Sequence, residues 1–446
     1  MTWVVLLVGV LAITPALINF DIIARDGANF YIPVAELLMK GRFHDVIWSP
    51  LNPFIIPLYE FLIFIVARVS GLDLESSGRA ISIVSFIFGT LGIYKVTEII
   101  FKDRIVAIIS VLFFISNREL LWRSVDCLKE SLLVCLVLWG NYFIVKGYYS
   151  VRGVKYTIGG ILTLLAGGLV RSTSMIFLGA WFIMWIFHKK DGSIKRVLLF
   201  FSIITLTFLI YYLNQKLHWG LPIFRRSYDP SHLISNELSI QDYRILSLNM
   251  IRQLFAKSYY LIGFFSLIGI YWRKRETYTV HLVIVTLIFF AICVKTTWVF
   301  IDRYTIVLVI WLYPIAAYAL VKSLRSLNKP LKIIAVITMV MCPLLWGEKV
   351  FTPPDPDKLA RKEAGLWILD RLGPDQVIIS NRDRLVFYAQ GTYMPLSKYK
   401  AGNDTKSVLA VDTKYEEGRI IVEEAHSRGV DPDKQFRSIS IYLPRS

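Results

Sequence analysis

A carboxylate stands where a simple connection would not need one. Arg25, Asp26 and Gly27 follow the apolar run Thr2 to Phe20 and precede Phe30, Val34, Leu37 and Leu38, which recur at helical spacing. Asp26 can act as a general base or a metal ligand. It can also cap the short helix expected from Gly27 onward, accepting hydrogen bonds from its free backbone N–H groups. One side chain can do both.

A second acidic cluster lies in "NRELLWRSVDCLKES", residues 117 to 131. Asp126 and Glu130 are four apart, so on one continuous helix their carboxylates would share a face. Arg123, one turn before Asp126, is its expected salt-bridge partner if the cluster is purely structural. Cations recur as well: Arg171 in "GGLVRSTS", Lys295, and Arg303 with Tyr304 in "FIDRYTIVLVIWLYP". Arg225, Arg226 and Arg244 fall in the polar stretch 214–257. Arginine suits bidentate contact with phosphate. Taken singly, each of these cations reads equally well as a snorkelling or salt-bridged side chain.

The elements that must position these groups belong to a membrane protein. Of 446 residues, 55% are hydrophobic, and the mean hydropathy is +0.54. A soluble core cannot hide so much apolar surface. The first run has neither a basic leader nor a clear small-residue cleavage site, and reads as a retained helix. A net charge of +17 is compatible with a nucleic acid partner, but the basic excess gathers in short loops between apolar runs, the mark of membrane orientation, and no nucleic acid partner is expected. The four cysteines, Cys127, Cys135, Cys293 and Cys342, show no metal-ligand spacing or disulfide framework.

Apolar runs are expected as helices near 80–101, 105–117, 130–148, 157–170, 174–188, 197–213, 258–271, 279–294, 304–321 and 332–346. The segment 53–71 holds Pro57, Glu60 and Arg68 and is ambiguous. Laying it along the outer interface puts every basic short loop on one side of the membrane. The expected fold is an α-helical polytopic membrane protein of about eleven spans, with outer juxtamembrane helices and a small C-terminal α/β domain. The regions 21–79, 118–129 and 214–257 share the outer face with the tail. A transmembrane domain is expected over 1–346 and the α/β domain over 347–446, after the "TPPDPDK" linker. In that tail "LARKEAGLWILDRL" and "EEGRIIVEEAHSRG" read as helices, and "QVIIS", "SVLAVD" and "SISIYLP" as strands. Ionisable groups at membrane depth are costly, so the acidic and basic clusters are functional candidates.

These residues carry a resemblance. "RDGANFYIPVAELLMKGRF" followed by "SPLNPFIIPLYEFL" resembles the D-(E/G)-x-x-Y-x-x-x-A-x-x-L-x-x-G…P-P-L-x-x-x-L pattern of the GT-C membrane glycosyltransferases. Within them the likeness is to the dolichyl-phosphate-mannose protein mannosyltransferase-like and aminoarabinose-transferase-like group. "LLWRSVDCLKESLL" looks like that group's second outer acidic loop, "LAGGLVRSTS" like its glycine-rich turn with arginine, and "DRYTIVLVIWLYPIAA" like its late helix. Gly27 stands for the common second acid and Asn52-Pro53 for a Pro-Pro or Lys-Pro pair, which leaves donor identity and metal use open.

The resemblance implies a polyprenyl-phosphate-linked sugar as donor, used at the outer face of a bacterial or archaeal cytoplasmic membrane. A lipid, glycan or protein would be the acceptor. Asp26, Asp126 and Glu130 would be the catalytic carboxylates. Arg25, Tyr31, Arg123, Arg171, Lys295, Arg303 and Tyr304 would bind substrate. A divalent cation, Mg or Mn, held by Asp26 and Asp126, stays open. Two other readings handle the same lipid carriers: a transporter or scramblase of lipid-linked sugars, and a ligase or polymerase of polyprenyl-linked glycans.

Overall fold

In a computed structural model, the residues described are 1–18, 23, 27–43, 46, 57–150, 153–171, 173–187, 261–273, 276–296, 302–326, 328, 356–381, 383–390, 392–395, 407–427 and 430–443. The runs expected near 197–213 and 332–346, and the outer stretch 214–257 with Arg225, Arg226 and Arg244, lie outside them. The chain is mostly helical and divides into two compact units. The first comprises residues 1–17 and 35–351, the second 18–34 and 352–446.

The helices that precede the tail fall mostly on the expected apolar runs. They are α1 (Thr2–Ile18), α2 (Ile32–Met39), α3 (Leu58–Ser70), α4 (Leu74–Phe101), α5 (Arg104–Ile115), α6 (Arg118–Ser124) and α7 (Glu130–Tyr149). There follow α8 (Gly153–Val170), α9 (Ser174–Phe187), α10 (Leu261–Trp272), α11 (Thr277–Thr296) and α12 (Asp302–Ser326). Among the described residues four helices are long and apolar enough to cross a membrane. A fifth is added if α5 and α6, bent by 65° at their break, make one broken span. Helix α3 has 13 residues, and at about 1.5 Å of rise each it is about 20 Å long, short of a typical hydrocarbon core.

Aspartates start several of these helices. Asp73 accepts from Ser76 N at 2.9 Å at the head of α4. Asp103 accepts from Ile105 N at 2.9 Å at the head of α5 and also meets Arg325 Nη2 of α12 at 2.7 Å. Burial alone would raise the Asp103 pKa, but Arg325 and the cap N–H groups outweigh it and hold the carboxyl below its ordinary range. A carboxylate depressed in the folded state stabilises it above the unfolded pKa, and that contribution fades as pH falls through the folded pKa. Arg325 is mostly exposed, so the expected loss in Arg325→Met is small, below about 1 kcal/mol. It should be present at neutral pH and vanish in acid, as measured by thermal unfolding of both proteins across a pH series.

The second unit contains a π-helical turn, Gly27–Tyr31, and an α/β fold made by the tail. Its elements are α13 (Pro356–Leu372), β1 (Val377–Ser380), α14 (Asp383–Tyr388), β2 (Thr392–Pro395), β3 (Val408–Asp412), α15 (Glu416–Ser427), β4 (Lys434–Phe436) and β5 (Ile439–Tyr442). The sheet order is β2-β1-β3-β5-β4, with β1 parallel to β2 and β3, and β5 antiparallel to β3 and β4. Alternating side chains serve two cores. Ile378, Val408, Ala410, Ile439 and Ile441 pack with Ala364 and Ile368 of α13 and Leu385 of α14. Ile379, Leu409 and Val411 pack instead with Ile421 and Val422 of α15.

The strands expected at "QVIIS", "SVLAVD" and "SISIYLP" are β1, β3 and β5, and the two tail helices are α13 and α15. The short β2, β4 and α14 carry too few residues to show a period. At the end of β3, buried Asp412 is held by Arg361 through Nη2 at 3.0 Å and Nε at 3.1 Å. Ser438 Oγ donates to the same aspartate at 2.8 Å.

Candidate functional site

The described candidates that come together lie where α3, α4, α6, α7 and the α8–α9 turn converge. Asn117 caps α6, accepting from Leu120 N at 2.9 Å, while its amide donates to Tyr313 of α12 at 2.6 Å. Helix α6 stops at Ser124, and residues 125–129 form a tight break before α7 starts at Glu130. Asp126 and Glu130 therefore do not share one helix, which corrects the expectation from their spacing. Asp126 is buried in the break, with Oδ1 accepting from Cys127 N at 2.7 Å.

Tertiary contacts form this break. Cys127 seats against Gly78 of α4, and Tyr59 of α3 donates to Gly78 O at 3.0 Å. Ser82 of α4 donates to Leu128 O at 2.9 Å. A Cβ at position 78 would fall inside the Cys127 sulfur. Gly78→Ala is expected to cost about 1–3 kcal/mol by overpacking, and Cys127→Ala in the same chain should recover most of it. Thermal unfolding of the single and double variants checks this, and equal loss in both would refute it.

Glu130 is fully buried and carries two arginines on one oxygen. Arg171 Nη1, from the turn after α8, lies 3.3 Å from Glu130 Oε1, and Arg123 Nη1 of α6 lies 3.8 Å from it. Arg123 Nη2 also reaches Glu119 Oε2 at 3.4 Å. The ion pairs drawn for Arg123 are thus with Glu119 and Glu130. Two buried atoms of this cluster have no hydrogen-bond partner among the described residues: Glu130 Oε2, an acceptor, and Arg123 Nε, a donor. Burying such groups unmet costs about 1–3 kcal/mol each, more when charged.

A further pair was not singled out by sequence. Glu60 of α3 is buried, Lys129 before α7 is partly buried, and the two act on one another electrostatically. Burial raises the Glu60 carboxyl and lowers the Lys129 ammonium, while each charge partly restores the other. The available signal was an acid inside an apolar run, an ionisable group in a costly place.

The other candidates are placed less fully. Arg25 and Asp26 lie outside the described residues. Tyr31 ends the π-helical turn and is buried, in the second unit. Lys295 lies in the last turn of α11, and Arg303 and Tyr304 in the first turn of α12; their side chains are outside the described part. Among the described residues no three of His, Cys, Asp and Glu gather as a metal site would need. Asp26, half of the expected pair, is not among them.

No family model and no curated protein matches this chain. Solved structures do. ArnT from Cupriavidus metallidurans, in a structure bound to undecaprenyl phosphate, superposes with a TM-score of 0.60 at 11% identity, covering 98% of this chain and 97% of that one. The oligosaccharyltransferase of Archaeoglobus fulgidus, in a complex with zinc and sulfate, gives 0.62 at 14% identity, covering 96% and 70%. The same archaeal enzyme, AglB, with an inhibitory peptide and a dolichol-phosphate gives 0.57 at 14%, covering 93% and 69%. At these identities the likeness is one of fold. The chain has the GT-C membrane fold expected from its sequence.

Proposed function

We propose that this chain is a membrane glycosyltransferase that moves a sugar from a polyprenyl-phosphate carrier to an acceptor hydroxyl. The observation that carries the reading is the Arg123–Glu130–Arg171 cluster, built on a fully buried carboxylate, within a GT-C fold. It holds two cations and leaves one donor and one acceptor unmet. The known structures of this fold bound to undecaprenyl phosphate and to a dolichol-phosphate support a lipid phosphate as ligand.

In the proposed reaction the acceptor oxygen attacks the anomeric carbon with inversion. The bond from that carbon to the phosphate oxygen breaks, and polyprenyl phosphate leaves with the electron pair. The acceptor proton passes to Asp26, a contribution of general-base type worth roughly 10²–10⁴-fold. Arg171 and Arg303, with Lys295, stabilise the charge gathering on the leaving phosphate, where preorganised cations act most strongly. Arg25, Tyr31, Arg123 and Tyr304 orient donor and acceptor. Asp126 and Glu130 assist acceptor binding. The site opens on the extracytoplasmic side, with the amino terminus inside, about eleven spans in all, and the acceptor is a lipid, a glycan or a protein.

The test is transfer of radiolabelled sugar from synthetic polyprenyl-phosphate donors in membranes containing the protein. Label arriving on an acceptor, with release of polyprenyl phosphate, is the expected result. Donor that crosses the bilayer with its label still attached would overturn the reading in favour of a lipid-sugar carrier.

A further inference from the structure

The tail fold brackets Asp26 in the sequence, holding the chain on both sides of it. Three residues before it, Ile23 is fully buried, and its backbone N–H donates to the phenolic oxygen of Tyr388 at 2.9 Å. Immediately after it, the π-helical turn Gly27–Tyr31 packs against α14, the short helix that Tyr388 ends. All of these elements belong to the second compact unit.

Tyr388 is itself fixed from behind. Its ring lies under Lys362 Nζ of α13 at 5.5 Å, and it stacks edge-on with Phe387 at 5.3 Å between centroids. Helix α13 approaches so closely at Gly365 that an added Cβ would strike Leu385 O and come within 2.7 Å of Tyr388 Cβ. The hydroxyl that meets Ile23 therefore rides on a closely packed, buried support, since Tyr388 is only 6% exposed. A buried backbone N–H needs a partner. Here the partner is supplied by a side chain 365 residues away rather than by the loop itself.

We infer that the tail domain is a working part of the transferase, with Tyr388 as the positioning residue that ties down the residues flanking Asp26, Ile23 before it and the Gly27–Tyr31 turn after it. The inference rests on the proposed role of Asp26 as base. Tyr388 acts through Ile23 rather than on the substrate. Small errors of placement in a reacting group cost large factors in rate, so the effect belongs in kcat rather than in donor affinity.

The experiment uses the full-length protein in nanodiscs, comparing wild type, Tyr388→Phe and the surface control Tyr415→Phe. Phenylalanine keeps the ring and its packing, so the midpoint of unfolding should stay near that of wild type. Hydrogen–deuterium exchange in the peptide covering residues 19–31 is expected to quicken about tenfold in Y388F, the effect of losing one buried hydrogen bond. With a donor that wild type accepts, kcat should fall by about tenfold with donor KM unchanged, and Y415F should match wild type in both. Unchanged exchange, or quickened exchange with unchanged kcat, would overturn the inference. Equal loss in Y415F would also overturn it, as a general weakness of the domain. If wild type transfers no sugar, the proposed function fails, and exchange alone still decides whether Tyr388 holds the loop.

Discussion

Asp26→Asn is expected to lower sugar transfer by roughly 10²–10⁴-fold, the usual range for a lost general base. Donor binding should be unaffected. The amide is close to the carboxylate in shape and retains capping ability, since asparagine is also a preferred N-cap. What it loses is the capacity to take up a proton. The measurement is initial rate of transfer at matched expression, with binding of the lipid donor measured separately. Unchanged transfer would reduce Asp26 to a cap and pass the role to Asp126 or Glu130.

Glu130→Ala should damage folding more than any other single change in the described bundle. The fully buried carboxylate neutralises Arg123 and Arg171, whose side chains are 18% and 8% exposed. Removing one member of a buried ionic group leaves the others uncompensated and costs about 3–5 kcal/mol. Thermal unfolding in detergent should show a large fall in the midpoint. Replacing Glu130 and Arg171 together by leucine should be milder than Glu130→Ala alone, because an apolar pair carries no stranded charge. A Glu130→Ala protein as stable as wild type would mean that solvent reaches the cluster. Glu130→Gln, which keeps the shape and one acceptor, should fall between these limits.

Long apolar runs were legible because a span of hydrophobic residues reports directly on its solvent. The tail strands β1, β3 and β5 were legible for a related reason: each is a short, dense apolar run bounded by turn residues. The break at 125–129 was not. Spacing places Asp126 and Glu130 on one helical face, yet Cys127 docking beside Gly78 stops the helix, a contact between residues far apart in sequence. Glu60 reads from the sequence only as an obstacle to a membrane span, because its partner Lys129 is brought to it by folding. The pairing of residues 18–34 with the tail was hidden likewise, since neither segment carries a local sign of the other. Of the site, the residue types and their order along the chain were readable, and the partnerships were not.

The bond between Ile23 and Tyr388 also sets an order of events during synthesis. Ile23 leaves the ribosome before its partner, which follows 365 residues later. At about 5–20 residues per second, that interval is roughly 20–70 s. For that time Ile23 has been made while the hydroxyl that will meet its N–H has not. The unit that contains it is completed only when the last strands arrive. A chain that stops short of Tyr388 thus lacks the group that meets Ile23.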